Sequence, residues 1–341
     1  MKIKIILPAV IFLTSFLFAQ QKDFFSEEFL QPRMRVIVIN DFGGDPDGLF
    51  QLVHQVLSPS AEIRAIIGSH ICNAGFFGVP ENAGYACKKA NEVIEIMELK
   101  GKFSVLKGSD LPLEDEEKPR ISEGTEAIIN EAMRQDTDIP LYVVCGSGLT
   151  DIASAYIINP EIAQKLTLVW IGGPEYSGIA FPPPGCTSLE YNTSIDIKAA
   201  RVIFNKSDMP VWQVPRNSYR QILVSYAELL KNVKCQGKIG KYLATSIEEV
   251  LKMANSSLGE TYILGDNPLV LLSALQSCYN PDPSSSSYSL LPAPKFNEQG
   301  LYEFHPDGRN IRVYNNLDMR LLVEDFYTKL ELFNKKEKKE Q

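Results

Sequence analysis

Histidine is scarce in this chain. His54, His70 and His305 are the only three in 341 residues, and they share no motif. A histidine-centred catalytic triad and a histidine-rich zinc site are thereby excluded as first readings. The six cysteines, Cys72, Cys87, Cys145, Cys186, Cys235 and Cys278, contain no Cys-x-x-Cys pair and no Cys/His zinc spacing. Cys145 closes a strongly apolar run and reads as a buried thiol. Basic charge is also in deficit: 34 Lys and Arg stand against 42 Asp and Glu, for a net charge of -8. A chain that wraps nucleic acid needs a basic face, so that class is set aside. Beyond the first twenty residues no segment is long and apolar enough to cross a bilayer.

What is present begins with a leader. Lys2 and Lys4 precede an apolar core from Ile5 to Phe18, and Phe18-Ala19-Gln20 offers a cleavage point. This pattern is that of a secretory signal over residues 1–20, with an uncleaved anchor as the alternative. Periplasmic or secreted location follows as an expectation, with no membrane association after cleavage. Residues 21–333 then read as one domain, and the lysine-rich residues 334–341 as a solvated tail.

Apolar strand-like runs alternate with amphipathic stretches along that domain. Strands are expected over Arg35–Ile39, Ile63–Ile67, Phe103–Leu106, Leu141–Val144, Leu166–Ile171, Val211–Val214 and Ile311–Val313. Helices are expected over Leu49–Leu57, Glu81–Lys100, Glu123–Arg134, Gly148–Ile158, Asp196–Asn205, Ser246–Ala254 and Leu269–Leu275. The alternation predicts an α/β fold: an open, mostly parallel, Rossmann-like sheet with helices on both faces. Ligands bind such sheets outside the carboxyl ends of the strands.

The first strand runs into Asp41-Phe42-Gly43-Gly44-Asp45-Pro46-Asp47. Carboxylates packed this closely repel one another unless a cation or protons compensate, so the segment suits a hard cation. The bland alternative is a polar turn with an aspartate cap. Gly146-Ser147-Gly148 forms a second strand-to-helix junction, where the missing side chains let the backbone approach a ligand. Ile171-Gly172-Gly173-Pro174 is a third, and leads to Glu190-Tyr191-Asn192. In an extended segment Glu190 and Asn192 share a side and suit sugar hydroxyls. Asp196 reads as a helix cap. Asp266 or Asn267, before Pro268, is either a cap or an inward ligand, with position favouring the cap. The Phe181-Pro182-Pro183-Pro184-Gly185 run reads equally as a pocket wall or a surface insertion. Asn280-Pro281-Asp282-Pro283 and the serines after it read as a surface loop.

Together these segments resemble the inosine-uridine nucleoside hydrolase family over residues 34 to 330. The Asp41 segment is similar to its DxDxGxDD cluster, Gly146 to Ala153 to its GxLTNxA segment, and Val105 to Leu113 to its GxxxPL segment. Asn159-Pro160-Glu161, Val169 to Gly173, and Glu190 to Asn205 continue the likeness. The resemblance implies a nucleoside hydrolase-like fold and a calcium-dependent hydrolysis of ribonucleosides to free base and ribose. It implies Asp41, Asp45, Asp47, Asp266 and the carbonyl of Gly146 as calcium ligands, with Asp41 as the base. It implies Asp45, Glu190, Asn192 and Ser69 as sugar contacts. Pro46 stands where the family has its fourth aspartate, and no histidine adjoins Asp266. His70 is either a strand-end site residue or a loop residue. Phe76, Phe77 and Tyr219 are candidates to stack on a base. A small-molecule nucleoside or related glycoside is the expected partner, and a homodimer or homotetramer is implied. The alternative is a member of the same fold that binds a carbohydrate or other ligand without hydrolysing it.

Overall fold

A computed structural model describes residues 29–72, 75–80, 82–185, 189–277 and 284–340. The expected leader, Cys186, Cys278 and the start of the loop at Asn280 lie outside the described residues. Among these residues twelve strands occur in chain order: β1 (Met34–Asn40), β2 (Ala61–Gly68), β3 (Val105–Lys107), β4 (Leu141–Cys145), β5 (Leu166–Ile171), β6 (Val211–Val214), β7 (Leu223–Ser225), β8 (Thr261–Ile263), β9 (Ser287–Pro292), β10 (Lys295–Phe296), β11 (Tyr302–Glu303) and β12 (Asn310–Asn316). Eight of them form the main sheet in the order β3-β2-β1-β4-β5-β6-β12-β9. All its pairings are parallel except that of β9 with β12. The order reverses between β1 and β4, which opens a crevice at their carboxyl ends.

Eleven α-helices accompany the strands: α1 (Asp47–Val56), α2 (Ala83–Ile96), α3 (Glu123–Ala132), α4 (Thr150–Ile158), α5 (Tyr191–Ile195), α6 (Ile197–Arg201), α7 (Arg216–Tyr219), α8 (Tyr226–Glu228), α9 (Gly237–Met253), α10 (Pro268–Ser273) and α11 (Met319–Glu340). The sheet separates two apolar cores. Val36 and Val38 pack on one face with Phe50, Leu272 and Phe326 from α1, α10 and α11. Ile37 and Ile39 pack on the other with Ile128 and Ile152 from α3 and α4. A strand buried on both faces reads as a continuous apolar run: all seven residues of β1 are buried, and Val36 to Ile39 at its centre are apolar.

The expected strands and helices are present with shifts of a few residues at their ends, except that α9 begins at Gly237 where Ser246 was expected. Besides the short elements α5, α7, α8, β10 and β11, three features were not expected. The serine-rich β9 adds an antiparallel edge, and β7 pairs with β8 in a small sheet of its own. The third is α11: the helix continues through Asn334 to Glu340, where a solvated tail was expected. Leu322, Phe326, Leu330 and Phe333 give it an apolar stripe at helical spacing, and all four are buried. Phe181, at 91% exposure, lies open to solvent, so the proline run is a surface loop.

A buried polar clasp joins α11 to α1. His54 Nε2 lies 2.8 Å from Asp325 Oδ2. Lys329 Nζ lies 2.6 Å from the same oxygen and donates to Ser58 Oγ at 2.9 Å. Burial pushes His54 down from 6.5 to about 4, against the opposing pull of Asp325. The imidazole is therefore neutral at pH 7 and donates its Nε2–H to the carboxylate. A histidine with a depressed folded pKa contributes stability that is whole above pH 6.5 and drains away as pH falls towards 4. The shift corresponds to about 3 kcal/mol. Urea unfolding between pH 7 and pH 4 should therefore show a steeper loss in the wild type than in His54→Gln, by about that amount. Parallel curves for the two proteins would refute the clasp's role.

Candidate active site

The carboxyl ends of β1, β2, β4, β5 and β6 converge on the crevice. Asn40 ends β1, and its Nδ2 donates to Asp266 Oδ2 at 2.9 Å, across 226 residues of sequence. Asp41 follows, buried, with its carbonyl accepting Gly44 N at 2.7 Å in a tight turn. Asp47 opens α1, where a carboxylate also suits the positive end of the helix. Asp45 points outward from the same turn and accepts the Tyr262 hydroxyl from β8. Gly146 follows β4 directly, opposite these groups. A Cβ there would lie 2.6 Å from Asn40 Nδ2 and 2.8 Å from Asp266 Oδ1, so only glycine permits this approach.

The structure thus gathers Asp41, Asp45, Asp47, Gly146 and Asp266, as the sequence led us to expect. Asp266 faces inward to Asn40 and does not cap α10. Asn267 holds the cap position without a capping bond. Among the described residues none of the four aspartates forms an ion pair with a basic side chain. Their charges are therefore uncompensated. Burial, then Asp266, Asp45 and Glu190, push Asp41 well above the usual carboxylate range. Burial and the neighbouring aspartates do the same to Asp47. Asp266 is pushed up to about 8 by burial, with Asp45 and Glu190 adding to the shift and the Asn40 hydrogen bond opposing it.

This donor set is all oxygen and anionic, which suits a hard divalent cation. As the side chains stand, no three acidic, histidine or cysteine side chains among the described residues enclose a point closely enough to hold one. Two of the bonds just described account for this: Asp45 is turned to Tyr262 and Asp266 to Asn40. The residues fit a metal in chemistry and in backbone placement.

Glu190 and Asn192 were expected to share a side of an extended segment. Instead Glu190 caps α5 and Asn192 is the second residue of that helix. The reason lies in the carboxylate's partners. Glu190 Oε1 accepts Asn192 N at 3.1 Å and the Tyr219 hydroxyl at 3.0 Å. Its Oε2 accepts Gly173 N and Thr193 N, both at 2.9 Å, and the Thr193 hydroxyl at 3.0 Å. Capping bonds to two amides outweigh an extended alternative. Asn192 Nδ2 donates to the Ile171 carbonyl at 2.8 Å, at the end of β5. Asp196 caps α6 as expected, accepting Ala199 N at 2.9 Å, and its other oxygen accepts the Thr150 hydroxyl and Leu113 N.

Ser69 follows β2, and its amide donates to the Asn40 carbonyl at 2.9 Å. Its hydroxyl is buried without a partner, as a group awaiting a ligand or water would be. His70 is also buried and uses Nδ1 on the Ser109 carbonyl at 2.9 Å. A carbonyl only accepts, so Nδ1 carries a proton. Phe76 stands edge-on to Tyr191 with ring centroids 6.3 Å apart, and Phe77 is half-exposed beside it. Sequence reasoning missed Asn40, Tyr191 and Tyr262. The spacing of apolar residues carries no sign of the hydroxyl or amide partners that a buried carboxylate recruits from distant segments.

The acidic crevice at the switch point of a doubly wound sheet is where enzymes of this architecture bind their ligands. The family model for inosine-uridine preferring nucleoside hydrolase matches residues 36–313. The chain belongs to that family, and so is an enzyme of the N-glycosidase class acting on ribonucleosides. Among solved structures, it is similar to a purine-preferring ribonucleoside hydrolase from Gardnerella vaginalis, with 18% identity and a TM-score of 0.69 over 88% of this chain and 99% of that one. It is also similar to an inosine-uridine preferring nucleoside hydrolase from Bacillus anthracis, with 14% identity and a TM-score of 0.60 over the same shares. A plant nucleoside hydrolase gives 16% identity and a TM-score of 0.65, again over 88% and 99%. At these identities the likeness is one of fold. No curated protein matches the sequence.

The capping role of Glu190 has a measurable consequence. Glu190→Ala should unfold at least about 3 kcal/mol more easily in urea, because it strands several buried donors at once. Glu190→Gln, which keeps an acceptor oxygen, should lose clearly less. Equal losses in the two variants would overturn this account of the residue.

Proposed function

We propose that the protein is a calcium-dependent N-ribohydrolase that cleaves ribonucleosides to free base and ribose. The observation that carries this reading is the uncompensated aspartate cluster facing Gly146 at the switch point of the sheet. With a leader expected at residues 1–20, the enzyme works in the periplasm or outside the cell.

Asp41, Asp47, Asp266 and the Gly146 carbonyl would hold the calcium, with Asp45 at its edge. Bound there, calcium supplies positive charge that offsets the carboxylates, attracts sugar hydroxyls and acidifies water. The remaining work falls to the chain. Departure of the base leaves an oxocarbenium-like sugar, and the negative cluster stabilises that positive charge. Asp41 takes the proton of the attacking water as general base. Asp45 uses Oδ1 on Tyr262, which leaves Oδ2 for a sugar hydroxyl. Ser69 offers its unpartnered hydroxyl to the same sugar, and Asn192 is tethered at the end of β5 to do likewise. The rings of Phe76 and Tyr191 give the leaving base an aromatic wall.

Ribose release from a panel of nucleosides should require calcium and stop on chelation. Asp41→Asn should lower kcat by roughly 10²- to 10⁴-fold. The same change removes one of several repelling charges, so the calcium-free variant should melt at a higher temperature than the wild type. A folded, calcium-binding protein that releases no ribose from any nucleoside would refute hydrolysis and favour the ligand-binding reading of the fold.

A further inference from the structure

We propose that Tyr262 is a positioning residue: it holds Asp45 out of the metal's ligand set and reserves that carboxylate for the sugar. The role rests on the calcium and nucleoside reading of the site and divides the labour among its four aspartates.

The division needs a physical cause. Asp45 lies near enough to Asp41, Asp47 and Asp266 for its charge to push all three up. Calcium takes about six to eight oxygen ligands in flexible geometry. A fourth carboxylate at the edge of the cluster is therefore drawn to the same ion, and there it has no oxygen to spare for a sugar hydroxyl.

The bond from Tyr262 opposes that pull. Asp45 Oδ1 accepts the Tyr262 hydroxyl, and the Asp47 amide lies 3.4 Å from the same oxygen. Among the described residues Oδ2 accepts no hydrogen bond from the protein. A phenol keeps its proton at neutral pH, so the hydroxyl donates. A hydrogen bond to an ionised acceptor is roughly twice as strong as a neutral one. This one sets the direction in which the carboxylate turns, with Oδ1 engaged and Oδ2 open.

Tyr262 is itself firmly placed. It is the middle residue of β8, paired with Val224 of β7, and its ring packs against the apolar core that α1 and α11 share. Leu264 N donates to the Ile222 carbonyl at 2.8 Å and extends that pairing. The segment then reaches the cluster at once. A Cβ at Gly265 would lie 3.1 Å from Asp47 Oδ2, and Asp266 follows. One short segment thus brings a carboxylate into the cluster and a hydroxyl that draws another carboxylate to its edge. Asn40 makes the reciprocal tie, since from the β1 side it donates to Asp266 Oδ2.

The test titrates calcium into the metal-free wild type, Tyr262→Phe, Asp45→Asn and the double variant by calorimetry. Phenylalanine keeps the packed ring and removes only the hydroxyl. Tyr262→Phe should bind calcium about tenfold more tightly, because Asp45 is released to the ion. That gain should vanish in the Asp45→Asn background. With calcium saturating, Tyr262→Phe should also raise KM for a ribonucleoside at least about tenfold, with kcat changed much less. Loosened packing would weaken metal and sugar together, so the opposite signs mark positioning. Calcium affinity in Tyr262→Phe that is unchanged or weaker, a gain that survives in Asp45→Asn, or an unchanged KM would overturn the proposal. If the wild type hydrolyses no nucleoside, the calcium titrations still decide the role of Tyr262, the affinity for free ribose takes the place of KM, and only hydrolysis is refuted. Calcium binding by neither the wild type nor Tyr262→Phe would overturn both the metal reading and the role of Tyr262.

Discussion

Repulsion among like charges is the constraint around which this molecule is arranged. Asp41, Asp47 and Asp266 sit largely out of water at one place, with Asp45 at its edge, and among the described residues no basic side chain is brought to meet them. Unpaired buried carboxylates cost stability, and folded proteins retain them chiefly where function uses them. The sheet supplies what opposes the repulsion. Two parallel strands, buried on both faces, hold the ends of β1 and β4 rigid, and the Asn40 bond to Asp266 ties a third segment to them. Loops alone would let the carboxylates drift apart.

The second organising element is Glu190, which gathers amides and hydroxyls from three parts of the chain. Gly173 shows how specific that arrangement is. Its φ of +91° is open to glycine, and a Cβ there would collide with Gln213 and Tyr302. Its amide meets Glu190 and its carbonyl accepts Arg216 N at 3.0 Å. Arg216 in turn forms a buried bidentate pair with Glu175. The wall opposite the aspartates is thus a bonded network, with side chains fixed before any ligand arrives.

Much of this was legible in the sequence, and the reasons differ by element. The seven strands of the parallel body announce themselves because burial on both faces demands unbroken apolar runs, as in Val36 to Ile39. The turn residues marked the crevice because glycine and aspartate there serve conformation and chemistry together. The edge strand β9 was hidden because one partner and a solvent side permit serine at alternate positions. Helix α11 was hidden by its charge: the lysines after Asn334 dominate its character, and the buried stripe that docks it occupies one position in four. At the site, backbone-determined features were readable and side-chain partners were not. Gly146 was identified for the absence of a side chain, which is local. That Glu190 would be consumed by donors, and that Asp45 would be claimed by Tyr262, depends on segments brought together only by the fold.

Helix α1 begins with Asp47 in the crevice and carries His54 near its other end, about 10 Å away along a rigid rod. The clasp that receives His54 is built by α11, 271 residues further along the sequence. A distant helix therefore finishes the anchorage of a helix whose first residue belongs to the reaction centre. A nascent or trimmed chain that lacks Asp325 and Lys329 would have its catalytic turn in place but held at one end only. The catalytic turn is in this sense one end of a lever whose other end α11 holds.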